Sequence, residues 1–537
     1  MTFRLLSASA TLLCVGIAKS VGLLLLLLNT QLIGQETAEA KNAFRSQSAS
    51  PSVSTNSSQA GKLKSSNSLC PAGLGAAIEE VTNRPQFSRE RWGILIQTLS
   101  SSHTLYSRDA QKYFVPASNA KLLITAAALH QLGSQFRIRT SVYGSSDGSL
   151  RVVGRGDPSL TDAQLKQLAQ QLSRRGIRQV SQLIASDNYF QGYAVNPTWE
   201  WEDVQADYGA PVNSLILNQN ALVLTLLPQA LGKPLRVVWA EPTEAARWQI
   251  ENESVTAQPA ASASINVSRD LRGAVLKIKG QMGVDSEPES VALAVLDPVE
   301  HFLQHFRRAL ATEGINETAD TRRYTRISDI ISIRQRTSPA FELAAVESPP
   351  LSQLLIETNQ NSNNLYAEAL LRMLAASAKR SLGAKAGNAP APTDSTPEMG
   401  LRVVKATLTK LGVDPAGYVL ADGSGLSRHN LVSPEAIAET LRAMAQSPEA
   451  VVYRASLPVA GISGTLRNRF RDSAALGIVQ AKTGTMSGVV ALSGYLDAPN
   501  YEPLVFSIVV NQSEQPTARL RQAIDDIVLL LTQLHRC

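Results

Sequence analysis

A serine and a lysine three positions apart stand at the head of an apolar-rich stretch, in Pro116-Ala117-Ser118-Asn119-Ala120-Lys121. On a helix such a pair shares one face, about one turn apart. The helix N-terminus favours negative charge developing on the serine oxygen and can aim an amide at an oxyanion. A lysine removed from water and set near another cation loses its proton more readily, so Lys121 could act as base toward the Ser118 hydroxyl. Lys482-Thr483-Gly484 could supply that second cation from a strand edge and steer a substrate carboxylate. Gly484 would let a substrate backbone approach the strand, and the amides of Ser118 and Thr485 would form an oxyanion hole. Between the two stands Ser362-Asn363-Asn364. The chemistry these residues suit is acyl transfer through a serine ester, with Ser118 as nucleophile.

Each short pattern recurs by chance in a chain of 537 residues, so order and context carry the reading. Ser186-Asp187-Asn188 is a competing match to the middle pattern. It follows a strand-like run, Gln182 to Ala185, whereas Ser362 lies between two helical stretches, Leu351 to Thr358 and Leu365 to Ala375. A catalytic turn joining helices selects Ser362 and leaves residues 186 to 188 as a surface turn.

The elements that must position these groups follow from periodicity and turn chemistry. A short helix, Leu74 to Thr82, precedes a strand, Arg91 to Leu99, and a second strand ends at Tyr106. Leu122 to Leu132 continues the nucleophile's segment as a helix. From Arg137 to about residue 338 short strands dominate, interrupted by an amphipathic helix from Asp162 to Arg175, which reads as an inserted and mostly β domain. Strands are expected at Ala221 to Leu227, Leu235 to Ala240 and Ala274 to Lys279, and an exposed loop over 377 to 397. Three strands, Ile478 to Thr485, Val489 to Leu496 and Pro503 to Asn511, then lead to a final helix opened by Pro516.

Composition narrows the class. Hydrophobic residues make up 44% and charged residues 18%, as in a globular protein, and the formal net charge of +6 is mild. No basic run interleaved with aromatics marks a nucleic-acid surface. Arg4, Lys19 and the apolar Val21 to Leu28, followed by Ala38-Glu39-Ala40, read as an export signal over residues 1–40, with an uncleaved membrane anchor as the alternative. Residues 41–68 are serine-rich and basic without an acidic residue, which suits a flexible tether. Outside the signal only Cys70 and Cys537 remain. An oxidising compartment would allow them to join, or they are two unrelated thiols.

With the three motifs, Gly156-Asp157-Pro158-Ser159-Leu160, Tyr208-Gly209-Ala210-Pro211-Val212-Asn213-Ser214-Leu215 and Asp422-Gly423-Ser424-Gly425-Leu426-Ser427-Arg428, the chain from about residue 70 to its end resembles the class C low-molecular-mass penicillin-binding proteins. These are D-alanyl-D-alanine carboxypeptidase/endopeptidases of the bacterial cell wall. The resemblance implies an α/β (α+β) fold: a penicillin-binding, β-lactamase-like transpeptidase domain with an antiparallel sheet flanked by helices. That domain would comprise 69–137 and 339–537, split by an insertion over 138–338 that carries a nested subdomain at about 162–252. It also implies roles: Ser118 acylated, Lys121 its base, Ser362 a proton relay, Asn364 a holder of the substrate amide. Lys482, Thr483 and Thr485 would bind the terminal carboxylate of peptidoglycan stem peptides, β-lactam antibiotics would acylate the same serine, and no cofactor or metal would be needed. The family's terminal helices pack side by side, which would bring Cys70 near Cys537. Asn363 replaces the aspartate of the usual Ser-Asp-Asn form. Residues reading the diamino-acid side chain would lie in the insertion, at positions no motif identifies.

Two rival functions are a β-lactamase and a sensor that acylates without turnover. The first lacks a Glu-x-x-Leu-Asn pattern between residues 362 and 482. The second would form a penicillin adduct without releasing D-alanine. Among other candidates, His301 and His305 read as core or surface residues of a helix rather than metal ligands, His429 as a turn residue, and Asp422 with Arg428 as a structural pair.

Overall fold

The computed structural model describes residues 68–270, 274–318, 341–383 and 395–537. The export signal expected over 1–40, all but the last residue of the tether expected over 41–68, and part of the loop expected over 377–397 lie outside them.

In chain order the first elements are helix α1 (Pro71–Thr82), strands β1 (Arg91–Thr98) and β2 (Thr104–Arg108), and helix α2 (Ala120–Leu132). Next come β3 (Arg139–Gly144), β4 (Ser149–Val153), α3 (Asp162–Arg174), β5 (Gln182–Ser186), β6 (Ala221–Leu227) and β7 (Arg236–Trp239). After further strands between 249 and 283 come β8 (Glu289–Ala294), α4 (Pro298–Thr312) and β9 (Phe341–Glu347). The remainder includes α5 (Leu351–Gln360), α6 (Asn364–Gly383), α7 (Thr396–Lys410), α8 (Pro434–Ala445), β10 (Val479–Met486), β11 (Val489–Leu496), β12 (Leu504–Asn511) and α9 (Thr517–Thr532).

The main sheet is antiparallel, in the order β10-β11-β12-β1-β2. Every residue of β11 and β12 is buried, because helices cover both faces and neither strand is an edge. Side chains alternate between two cores. Trp92, Ile94 and Ile96 of β1, with Phe506, Ile508 and Val510 of β12, pack under α1 and α9. Leu95 and Val505 face the other way, onto α2, α6 and α8. Helix α2 is buried at every position from Ala120 to Leu129, so over that stretch no face meets solvent and it runs through the second core. Its first turn delivers Lys121, and the turn just before it delivers Ser118.

The stretch that leads into α1 meets the C-terminal residues on the far face. Leu69 and Leu534 bridge in parallel, the Leu69 amide donates to the Gln533 carbonyl at 2.9 Å, and a disulfide joins Cys70 to Cys537. Cys537→Ser should lower unfolding stability by about 2–5 kcal/mol, read by denaturant melts, because the bridge removes conformational freedom from a very long loop of unfolded chain. A loss below the error of the melts would show that the Leu69–Leu534 contacts alone hold the ends.

The β-rich segment builds two separate cores. One lies between the mixed sheet β9-β3-β4-β5 and helices α3 and α4; the other joins β6, β7 and β8 to the strands of 249–283. The first takes residues from 142–217 and again from 299–346, the second from 222–295. A nested unit over 162–252 therefore cuts across both, since α3 packs its Leu165, Leu168 and Leu172 against Phe302 and Phe306 of α4. The boundary expected at 338 also precedes β9, which pairs with β3 from Phe341 to Glu347. Part of the segment expected as a loop over 377–397 is helical: α6 continues to Gly383 and α7 starts at Thr396, where Ser395 and Glu398 form a capping box.

Candidate functional site

Ser118 sits in a single turn of 3-10 helix, Ala117–Asn119, that feeds α2. Ala117 is held at φ 46°, a left-handed conformation that costs a β-carbon-bearing residue of order 1 kcal/mol. The surroundings over-determine it. Buried Asn119 donates to Ser493 Oγ at 2.7 Å, tying the turn to β11. Gly425 lies over it at φ 82°, where a β-carbon would come within 1.9 Å of the Ala117 carbonyl oxygen. Gly484 of β10 backs onto it as well: a β-carbon there would lie 2.8 Å from the Pro116 carbonyl oxygen. Gly484 was expected to make room for a substrate backbone. In the structure it is buried, and its smallness serves the approach of the nucleophile's own turn.

Lys121 is fully buried, and its Nζ lies 2.9 Å from Ser118 Oγ, 2.7 Å from Asn364 Oδ1 and 2.6 Å from the Ser424 carbonyl oxygen. The last two atoms only accept hydrogen bonds. A neutral amine has two N–H groups, which satisfy those acceptors and leave its lone pair toward the Ser118 hydroxyl. Burial is the main force that pushes the Lys121 ammonium down to about 7, against the opposing pull of Asp422 and Glu368.

Ser362 occupies the turn between α5 and α6 at φ 60°, a second left-handed residue beside the nucleophile. Its Oγ accepts from Lys482 Nζ at 2.8 Å, and Lys482 also donates to the Thr483 carbonyl at 2.9 Å. Lys482 is fully buried, and burial together with repulsion from Lys121 holds its ammonium well below the usual lysine range. Thr483 and Thr485 line a cleft that also contains Ser118 and Ser362. The motifs thus converge, linked by hydrogen bonds between side chains up to 243 positions apart.

Asn363 has a physical reason to be an amide. Its Nδ2 donates to Glu357 Oε1 at 3.2 Å and to Gln219 Oε1 at 2.6 Å, so an aspartate there would set two carboxylates together. Asn364 in turn donates to the Tyr208 carbonyl at 2.9 Å. Through these two asparagines the inserted segment contacts the site.

Behind the site lies a buried network. Glu368 and Arg372 of α6, both at most 1% exposed, pair at 2.9 Å. Glu368 Oε1 accepts from the amides of Gly423 at 2.7 Å and Ser424 at 2.9 Å, which fixes the carbonyl that meets Lys121. Burial raises the Glu368 carboxyl, with Asp422 adding repulsion. Arg372→Met should therefore destabilise the protein by about 3–5 kcal/mol in chemical denaturation, since it strands a buried carboxylate. A cost under about 1 kcal/mol would mean that Glu368 is already neutral.

Asp422 and Arg428 do not pair as expected. Asp422 is enclosed by its own turn, accepting from the Ser427 amide at 2.7 Å, the Gly425 amide at 2.8 Å, Asn430 at 2.8 Å and Trp199 Nε1 at 2.9 Å. Arg428 points outward to Glu200 at 3.0 Å and the Ser487 carbonyl at 3.0 Å. His301 and His305 are buried on α4 within the inserted segment, with His305 bonded to Asp162 at 2.6 Å. His429 is exposed in the 427–430 turn. The Ser186-Asp187-Asn188 segment ends β5, and Asp187 accepts from the Ser214 amide at 2.7 Å.

A second cleft, of about 330 Å³, opens on the other side of Ser118. Glu200, Asp203, Tyr208, Arg428 and Met486 line it with Asn364. Of these, sequence reasoning placed only Asn364 at the site. The one local signal is the acidic and aromatic run Trp199-Glu200-Trp201-Glu202-Asp203 just before the Tyr208 motif.

A family model described as D-Ala-D-Ala carboxypeptidase 3 (S13) matches residues 74–534. The D-alanyl-D-alanine carboxypeptidase of an Actinomadura species is 32% identical over 458 residues, covering 82% of this chain and 81% of that one. The crystal structure of penicillin binding protein 4 from Haemophilus influenzae is similar at a TM-score of 0.70 and 23% identity, over 85% of this chain and 99% of that one. The same protein complexed with a β-lactam matches at a TM-score of 0.65 and 23% identity, over 84% and 98%. These structural likenesses show the fold, an antiparallel sheet between helices of the penicillin-binding kind.

Proposed function

The chain belongs to the D-Ala-D-Ala carboxypeptidase 3 (S13) family, and on that premise we propose that it cleaves peptidoglycan peptides ending in, or cross-linked through, D-alanine by way of a Ser118 ester. The observation that carries the reading is the setting of Lys121 Nζ, held by two pure acceptors and facing the Ser118 hydroxyl. Ser118 Oγ attacks the carbonyl of the scissile bond while its proton passes to Lys121. The amides of Ser118 and Thr485 hold the oxyanion. On collapse the C–N bond breaks, and the leaving amine takes a proton relayed through Ser362, which Lys482 Nζ contacts at 2.8 Å. Water then attacks the ester and frees Ser118. Thr483, Thr485 and Lys482 bind the carboxylate next to the leaving amine.

The cleft on the other side receives the residue that precedes the D-alanines. Its Arg428 suits a free carboxylate and its Glu200 and Asp203 suit an ammonium, both of which a stem diamino acid carries on its side chain. β-Lactams mimic the D-alanyl pair and acylate the same hydroxyl. We place the enzyme outside the cytoplasm, at the cell wall, with the Cys70–Cys537 disulfide in support.

The test is direct. The purified protein should release D-alanine from a stem pentapeptide and gain the mass of one penicillin molecule. A protein that does neither is not this enzyme; one that forms the adduct without D-alanine release is a sensor.

A further inference from the structure

On the leaving-group side of Ser118, the cleft that contains Thr483 and Thr485 continues as far as α9, and its whole volume is about 600 Å³. Pockets of roughly 300–1,000 Å³ hold ligands of drug size, far larger than a single alanine. One wall is the first half of α9. Ala518, Arg521, Gln522 and Asp525 recur at the spacing of one helical face, and all four line the cleft. Asn468 and Arg469 form the facing wall. Ala518, Arg521, Gln522 and Asn468 are exposed, so this face of the helix contributes nothing to the core.

The charges are arranged asymmetrically. The Arg469 guanidinium is in contact with Asp525, an ion pair with both side chains about 15% exposed. Arg521 reaches instead to the carboxylate end of the site, its Nη2 3.3 Å from Thr485 Oγ1. A cation at the strand edge is thus followed by a polar trough bearing an amide side chain on each wall, Asn468 and Gln522. Such a surface suits a peptide that continues past a carboxylate.

We propose that this face of α9, with Asn468 opposite, is a leaving-group subsite for the peptide that extends beyond the released amine, and that Arg521 reads the carboxylate beside that amine. The proposal rests on the activity proposed above and deepens it: the subsite favours D,D-cross-linked peptides, whose leaving half is itself a peptide. Free D-alanine fills only the end next to Thr483 and Thr485.

The test compares two substrates with the same acyl-donor half, a monomeric pentapeptide and a D,D-cross-linked dimer. Ala518→Trp and Asn468→Trp fill the trough from opposite walls at exposed positions. In each, the ratio of dimer to monomer kcat/KM should fall about tenfold or more from that of the wild type. Arg521→Gln should lower, also by about tenfold, the preference for a dimer whose leaving half carries the free carboxylate over one carrying the carboxamide. Penicillin acylation reports that each variant is folded, and any one folded variant decides. A ratio within twofold of wild type in a folded tryptophan variant overturns the subsite. So does a wild-type enzyme that hydrolyses the monomer and leaves the dimer intact. A wild-type protein that acts on neither substrate overturns the activity itself.

Discussion

Ser118→Ala should form no covalent adduct with penicillin and release D-alanine about 10⁴–10⁶-fold more slowly than the wild type, the scale of loss when a nucleophile is removed from a serine enzyme. Nothing else at the site can take its place. Ser362, the other serine lining the cleft, accepts a hydrogen bond from Lys482 and lacks the direct contact with Lys121 that prepares Ser118. The substitution is gentle on the fold, because only the hydroxyl is lost and the turn is held by Asn119 and by the close packing of Gly425. Intact-protein mass spectrometry after exposure to penicillin decides it. An adduct that persists in Ser118→Ala removes Ser118 from its role.

The second large effect concerns Lys121. Lys121→Met keeps the length of the buried side chain but deletes the base, and acylation should slow by about 10²–10⁴-fold, measured as the rate of adduct formation. The pH profile carries the same information in the wild type. The acylating form has a neutral Lys121, so its fraction rises with pH. With the ammonium held at about 7, the acylation rate should climb about tenfold per pH unit below that point and level above it. Lys482 shifts the same way, lowered by its own burial and by repulsion from Lys121. An acylation rate flat between pH 5.5 and 9, or a Lys121→Met protein acylating at wild-type speed, would exclude the amine as base.

Much of the scaffold around these residues was legible in the sequence because its elements are local and strongly patterned. The periodicity of 122–132 marks a helix, and the three runs after 478 mark strands to within one or two residues of β10, β11 and β12. The choice of Ser362 over Ser186 came from helical context, and the structure places Ser362 between α5 and α6 with Ser186 ending β5. What failed to be legible depends on distant pairing. β9 is a strand because β3, some two hundred positions earlier, offers it an edge. Arg428 leaves Asp422 because Glu200 and the Ser487 carbonyl are within reach and the 422–430 turn already fills the Asp422 carboxylate.

By itself the amino-acid sequence determined the chemistry available: one hydroxyl, two lysines, a hydroxyl–amide pair and the order in which they occur, all set by short-range spacing. Only the tertiary structure decided their protonation and their surroundings. A lysine's proton affinity depends on the water it has lost and the charges it has gained, and both come from segments hundreds of residues away. The same holds for the walls of the two clefts, one from the inserted segment and one from the last helix, which no local pattern connects to Ser118.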